Sequence, residues 1–497
     1  MHDGNPRARL AAVGEETLED LADGCEIRVG VAGHLRHGRH SRALMGYVAE
    51  RVDVVVVGLG VGGEEVAGKL AEAGLAVVGI ESNLVGGECP YWGCVPSKMM
   101  IRAANALAET RRVAKLAGSA TAHPDWSPVA KRIREEATDD WDDTVAVDRF
   151  VGKGGRFVRG YGTLTGPRTV TVGDQEFEAT RGIVIATGAA PVAPPIEGLA
   201  GTPYWTNREA IEVEHLPTSL VVLGGGAIGV ELAQVFARFG VRVTVVEAAD
   251  RLLPFDEPEA ADLVRTALEA DGVVVRTGMH ATRVLYSEPD GFAVEVGSES
   301  VTGDRLLVAT GRRGRVADLG LETVGLDPSA RAIETDDRMR AADGIWAVGD
   351  VTGHGAFTHM SMYEAGIAIR DILGQEGPPA DYRAVPRVTF TDPEVGTVGL
   401  TEAEARDRGL NVRVGLTDLT TSSRGWIHKE GNAGLIKLIA DGDVLIGATS
   451  AGPMGGEVLS MLTLAVHARV PLPQLRSMIY AYPTFHRAIE DALRNLA

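Results

Sequence analysis

Cys89 and Cys94 stand five positions apart in a chain of 497 residues that has only three cysteines. They lie in the stretch Gly86-Gly87-Glu88-Cys89-Pro90-Tyr91-Trp92-Gly93-Cys94-Val95-Pro96-Ser97-Lys98. A disulfide across so small a ring removes little entropy from the unfolded chain, so it is a poor staple. The spacing suits a redox couple that opens and closes, because thiol–disulfide exchange needs a thiolate within reach of a partner sulfur. Two buried, inert cysteines are the bland alternative. Glycine, proline and lysine at fixed offsets around the pair argue against it. Cys25 falls in no motif and is read as incidental.

Two glycine-rich turns carry the second chemistry. Gly58, Gly60 and Gly63 form one GxGxxG, and Gly224, Gly226 and Gly229 form another, 166 residues later. Alone, such a motif is weak. Here each follows an apolar strand, opens a helix and leads to an acid, Glu81 or Glu247, at the end of the next strand. The first glycine permits the tight turn, the second lets backbone approach a pyrophosphate, and the third lets helix and strand pack closely. The helix start supplies amide donors and a favourable dipole. The acids are placed to accept hydrogen bonds from ribose hydroxyls. Two such sites imply two dinucleotides.

The elements around these residues follow from periodicity. Strands are predicted over Val52–Val57, Leu75–Ile80, Leu220–Leu223 and Val241–Val246, and helices over Glu64–Ala73 and Val230–Phe239. Residues 98–150 read as mostly helical, with a polar interruption at His123-Pro124-Asp125. Strands alternating with helices indicate a parallel α/β sheet, and the repeated unit indicates an internal duplication of fold. Strand-like, turn-rich sequence begins near Asp381, and Phe485–Leu496 reads as a terminal helix.

The cysteine segment resembles the redox segment of the flavin-dependent pyridine nucleotide-disulfide oxidoreductases, which include dihydrolipoamide dehydrogenase, the glutathione and mycothione reductases and mercuric reductase. Further matches are Ala186-Thr187-Gly188, Ala309-Thr310-Gly311 and Gly344-Ile345-Trp346-Ala347-Val348-Gly349-Asp350. The resemblance implies two Rossmann-like dinucleotide-binding domains plus a C-terminal α+β dimerisation domain in an α/β chain. Its divisions are a disordered N-terminal extension at 1–50, an FAD-binding domain at 51–200 with its second part at 326–380, an NAD(P)-binding domain at 201–325, and a dimerisation domain at 381–497. It implies FAD on the first unit, with contacts from Gly58, Gly60, Gly63, Glu81, Gly87, Lys98, Thr187, Gly188, Gly311, Asp350 at the ribitol and His359 in a segment similar to the family's Leu-Ala-His. The nicotinamide cofactor falls to Gly224, Gly226, Gly229 and Glu247. A carboxylate at Glu247 repels a 2′-phosphate, so NADH is favoured over NADPH, although Arg242 and Arg251 stand nearby.

By the same resemblance Cys94 is the thiolate facing the flavin and Cys89 the thiol that exchanges with substrate. Val95-Pro96-Ser97 reads as a helix start, whose dipole favours a thiolate. Lys98 would lie near the flavin and pair with Glu231. An ordinary surface ion pair is the alternative for those two residues. Electrons would pass between NADH, FAD, the cysteine pair and a small disulfide or dithiol, in a homodimer.

The C-terminus departs from the family. A histidine and, five residues on, a glutamate act there as acid and base for the thiols. This chain has Tyr482 and Arg487 at those positions. Tyr482 could donate the proton, its pKa lowered by Arg487. His486 could serve instead, paired at i, i+4 with Glu490; a solvated first-turn residue is the alternative. Or the acceptor needs no such catalyst. Rival readings are therefore a diaphorase-like enzyme that reduces metal ions or quinones, and a redox-sensing or scaffold flavoprotein.

Composition sets outer limits. A formal charge of −19 argues against nucleic acid and anionic membranes as partners. No apolar run approaches the roughly 20 residues of a membrane span. The start of the chain lacks an apolar signal-peptide core, and with so few cysteines a reducing cytoplasm is expected. His34, His37 and His40 are spaced by three, as in a metal- or partner-binding tail, but a disordered or mis-started terminus, with Met45 as an alternative start, explains them as well. No resident metal is expected.

Overall fold

The protein is described by a computed structural model covering residues 49–496. The expectations for residues 1–48, including Cys25, His34, His37, His40 and the disorder of the extension, lie outside the described residues.

The first α/β unit is built from β1 (Glu50–Val57), β2 (Val77–Glu81), β3 (Arg156–Arg159) and β4 (Gln175–Ile185), all parallel. Valines 54 to 56 of β1 are fully buried, as expected of a strand covered on both faces. Val54 and Val56 enter one apolar core while Val55 and Val57 enter another, the period-2 alternation of a strand between two layers. α1 (Val61–Glu72) crosses from β1 to β2. It begins three residues earlier than periodicity indicated, because Gly62 and Gly63 are already helical. α2 (Glu88–Tyr91) and α3 (Cys94–Arg112) follow β2.

α4 (Asn207–Glu212) leads into the second unit, made of β5 (Ser219–Leu223), α5 (Ala227–Arg238), β6 (Arg242–Val246), α6 (Pro258–Ala270), β7 (Val274–Arg276) and β8 (Arg305–Val308). Its sheet runs β7-β6-β5-β8, again parallel. An antiparallel meander over residues 281–303 covers one face through Val284, Phe292 and Val294.

The chain then returns to the first sheet. β9 (Arg340–Ala342) and β10 (Ile345–Ala347) extend it to the order β9-β10-β4-β1-β2-β3, with β10 parallel to β4. α7 (Thr358–Ile372) packs on α1. The last third is an antiparallel sheet of β11 (Pro386–Thr389), β12 (Glu394–Gly399), β13 (Val412–Asp418), β14 (Leu435–Asp441) and β15 (Val444–Gly452), ordered β11-β12-β15-β14-β13. α8 (Gly455–His467) and the terminal helix α9 (Ala488–Arg494) pack on it through Leu459, Leu462, Ile489 and Leu493. α9 starts later than expected, since Phe485–Arg487 form a 3-10 turn. Among the described residues, no helix is long and apolar enough to cross a membrane.

Candidate functional site

The duplicated turns are built alike, bond for bond. Gly58 takes φ +93° and Gly224 φ +106°, and a Cβ on either would lie 2.4 Å from the carbonyl oxygen of Ala186 or Ala309. A Cβ on Gly63 or Gly229 would lie 2.0 Å from the carbonyl of the first glycine. The acids close the turns identically. Glu81 accepts from Leu59 N at 2.8 Å and Asn83 N at 2.7 Å. Glu247 accepts from Gly225 N at 2.5 Å and Ala249 N at 2.7 Å. At Gly60 and Gly226 a Cβ would meet nothing within 4 Å. Both turns thus leave open space against bare backbone at a helix start, which is what a pyrophosphate requires. The residues fit two dinucleotides.

The redox segment is pressed onto the first turn. Gly86 N donates to Leu59 O at 2.7 Å, and Gly87, at φ +69°, lies so near that a Cβ would approach Gly60 Cα to 2.9 Å. Cys94 is the first residue of α3, a helix of 19 residues, so its sulfur sits at the positive end of a long dipole. Cys89 and Cys94 are not bonded to each other.

The two thiols differ sharply. The Cys89 thiol hydrogen-bonds the Cys94 sulfur, which lowers Cys94 to about 6; burial opposes this, and Thr358 and Lys98 add to it. The same bond, with burial, pushes Cys89 up. Thr358 Oγ1 is 3.2 Å from Cys94 Sγ. One turn along α3, Lys98 Nζ pairs with Glu231 Oε2 of α5 at 2.8 Å. Glu231 is 6% exposed and also accepts from Phe390 N at 2.8 Å, so this is not a surface ion pair. Lys98 Nζ lies 4.6 Å from the Phe390 ring centroid.

Asp350 lies in the turn after β10, and burial pushes its carboxyl up. Beneath it Glu364 is fully buried, accepting from Gly349 N at 2.7 Å and Tyr382 Oη at 3.0 Å, with Thr352 Oγ1 at 3.1 Å and His354 Nδ1 at 3.1 Å. Thr187 Oγ1 donates to Arg315 O, and Gly188 and Gly311 both have positive φ with open space beside them. His359 Nε2 bonds Pro386 O at 2.9 Å and its ring stacks on Phe357. The neighbouring Thr358 is the residue that meets the cysteine.

At the C-terminus the expected pairing of His486 with Glu490 is not formed. Glu490 pairs with Arg487 at 2.9 Å and Arg494 at 3.7 Å, because the 3-10 turn before α9 breaks the i, i+4 geometry. Arg487 is engaged there and lies over the Tyr482 ring, 5.8 Å from its centroid, and not at its hydroxyl. Tyr482 is 68% exposed.

Sequence reasoning missed Thr358, Glu364 and the partners of Glu88. The residue Glu88, between two glycines and a cysteine, was in view. Its partners Asn207, Arg208 and Arg312 lie more than a hundred residues away, and no local pattern announces them.

Residues 52–366 match the family described as pyridine nucleotide-disulphide oxidoreductase, and residues 385–493 match the dimerisation domain of the same family. The chain belongs to this family. The dihydrolipoyl dehydrogenase of Thermus scotoductus is 34% identical over 464 residues, covering 89% of this chain and 97% of the other. A mercuric reductase of Bacillus cereus is 32% identical, covering 89% of this chain and 71% of the other. The Cu(II) complex of the HOCl-induced flavoprotein disulfide reductase RclA from Escherichia coli superposes with a TM-score of 0.79 at 29% identity, over 90% of this chain and 99% of that one. Members of the pyridine nucleotide-disulphide oxidoreductase family are FAD- and NAD(P)-dependent oxidoreductases. The family resemblance, the fold class and the enzymatic nature read from the sequence are therefore borne out.

Proposed function

We propose that this oxidoreductase passes electron pairs between a nicotinamide cofactor and a small disulfide or dithiol through Cys89 and Cys94. The supporting observation is the pair itself. Two thiols of different acidity stand at the start of a long helix, pressed onto one dinucleotide turn and tied to the other unit by Lys98–Glu231. FAD, bound on residues 51–200 and 326–380, supplies the centre that exchanges electron pairs with either side. Lys98, fixed by Glu231, adds its positive charge to the Cys89 and Thr358 hydrogen bonds that favour the Cys94 thiolate. Cys89, protonated and nearer the start of the loop, is the thiol that meets substrate. Tyr482 and His486 remain the proposed proton donors at the substrate.

The second unit, residues 201–325, takes the nicotinamide cofactor, and NADH is favoured. Glu247 stands at the end of the strand after the second glycine turn, where its carboxylate would suit a free ribose 2′-hydroxyl, and Arg251 is already engaged by the carbonyls of Pro254 and Asp256. A homodimer is proposed, acting in the cytoplasm. Trp426, Leu464, Ile479 and Tyr482 of residues 381–497 are 62–95% exposed, an apolar surface that a second copy would cover.

A second reading has its own support. Tyr482 and Arg487 replace the acid–base pair, and relatives include a mercuric reductase and a flavoprotein solved with Cu(II). Here the acceptor is a metal ion, which takes electrons without a proton, or a quinone, whose two protons come from solvent.

Anaerobic titration with NADH tests the relay. A long-wavelength charge-transfer band that Cys94→Ser abolishes supports it, and its absence in the wild type overturns it. Rates with disulfides, quinones and metal ions, measured beside Tyr482→Phe and His486→Ala, separate the two readings. Unchanged disulfide reduction in both variants removes the proposed proton donors.

A further inference from the structure

The turn that carries Cys89 is tied down from outside its own unit. The Glu88 carboxylate accepts from Arg208 through Nε at 3.0 Å and through Nη2, from Asn207 Nδ2 at 3.1 Å, and faces Arg312 Nη2 at 3.6 Å. Burial alone would push Glu88 up, but Arg312 and Arg208 outweigh it and hold the carboxyl below its usual range. Trp92, three residues past Cys89, is held at both ends. Its carbonyl accepts from the same Asn207 Nδ2 at 2.8 Å, and its indole N–H donates to Glu212 Oε1 at 2.5 Å. The Arg208 guanidinium lies 4.1 Å above its ring. One buried amide therefore reads two points that bracket the cysteine, and every partner but Arg312 comes from α4.

This clamp is not a surface ion pair. Asn207 is 9% and Trp92 8% exposed. The loop it grips has no slack, since a Cβ on Gly93 would lie 3.0 Å from Glu88 O and Gly87 already abuts Gly60. A loop held at Glu88, Trp92 and Gly87 leaves Cys89 little freedom beyond rotation of its side chain. The equilibrium between dithiol and disulfide rises with the effective concentration of one thiol at the other, and that concentration falls when the backbone between them is loosened.

We propose that Glu88, Trp92, Asn207 and Arg208 are positioning residues that hold Cys89 against Cys94 and so set the reduction potential of the pair. This rests on the reading of the pair as a relay. The measured reaction is the closing of the bond by oxidised dithiothreitol: the two thiols give up two protons and two electrons, the Cys89–Cys94 bond forms, and the dithiothreitol disulfide opens to its dithiol.

The test is equilibration of the full-length holoenzyme in dithiothreitol redox buffers, with alkylation and mass analysis of the cysteine peptides. Asn207→Ala and Glu88→Ala are each expected to lower the equilibrium constant for oxidation about tenfold, a shift of about 30 mV for a two-electron couple. Trp92→Phe keeps a buried ring and loses only the bond to Glu212, so a two- to fivefold fall is expected even if the alanine variants fold poorly. The double variant Glu88→Ala/Asn207→Ala should fall no further than the larger single change, because both release the same loop. Melting temperatures that drop while the equilibrium constant stays at the wild-type value in all variants overturn the clamp as a tuning device. A wild-type pair that never closes overturns the relay reading and the clamp with it.

Discussion

Thr358 offers the sharpest test of how this site works. Its hydroxyl is 3.2 Å from Cys94 Sγ, the distance of a hydrogen bond to sulfur. A hydrogen bond to a charged group contributes about 1.5–3 kcal/mol, and one pKa unit corresponds to about 1.36 kcal/mol. Cys94 is partly open to solvent, so the lower end applies, and Thr358→Val is expected to raise Cys94 by about one unit from about 6. At pH 6.5 the thiolate fraction then falls from about three quarters to about one quarter, and the alkylation rate about threefold. At pH 9 the variant and wild type should react alike. The sign follows from the lowered pKa: the ionised form is favoured in the fold, and the advantage is lost as pH falls through 6. The assay is iodoacetamide labelling of anaerobically reduced protein between pH 5 and 9, with Cys94 and Cys89 peptides quantified separately. A wild-type midpoint in the ordinary cysteine range, or one that Thr358→Val leaves in place, refutes the assignment.

Three further outcomes follow from the packing. Lys98→Met strands Glu231, which is 6% exposed, and should lower stability by about 2 kcal/mol in urea unfolding; the figure sits below the buried-pair range because Lys98 is itself about a third exposed. Gly63→Ala places a Cβ 2.0 Å from Gly58 O and Gly229→Ala does the same at Gly224 O. The first should yield protein with little bound flavin, and the second should keep its flavin and raise KM for NADH; the reverse pattern would invert the assignment of the two units. Lys437, 3% exposed on its side chain, meets Glu257, Glu259 and Glu402 within 3 Å. Lys437→Met should cost about 3–5 kcal/mol at pH 7. Lys437 and Arg406 hold Glu402 below its usual range, so the loss should shrink in acid once Glu402 protonates, and an equal loss at pH 7 and in acid would mean that the lysine acts by packing alone.

Much of this protein is written locally in its sequence. The valine run of β1, the glycines of each turn and the acid 22 residues past the second position of each turn lie within one βαβ unit, so strand period, turn chemistry and helix start all point one way. The start of α3 at Cys94 follows from Val95-Pro96-Ser97 for the same reason. Lys98 and Glu231 sit 133 residues apart, and only the family pattern joined them beforehand.

The tertiary structure decided the rest. Thr358 faces Cys94 because α7 packs on α1, which no spacing along the chain records. His359, one residue further round the same helix, is turned to Pro386 instead. The bond sought between His486 and Glu490 fails because a 3-10 turn replaces the α-helical one and Arg487 reaches the glutamate first. Glu88 lies beside the cysteines in sequence, yet its role depends on Asn207 and Arg208, brought in where the chain crosses to the second unit. Local sequence determines which groups can do chemistry here. How easily each gains a proton or an electron depends on neighbours that only long-range packing supplies.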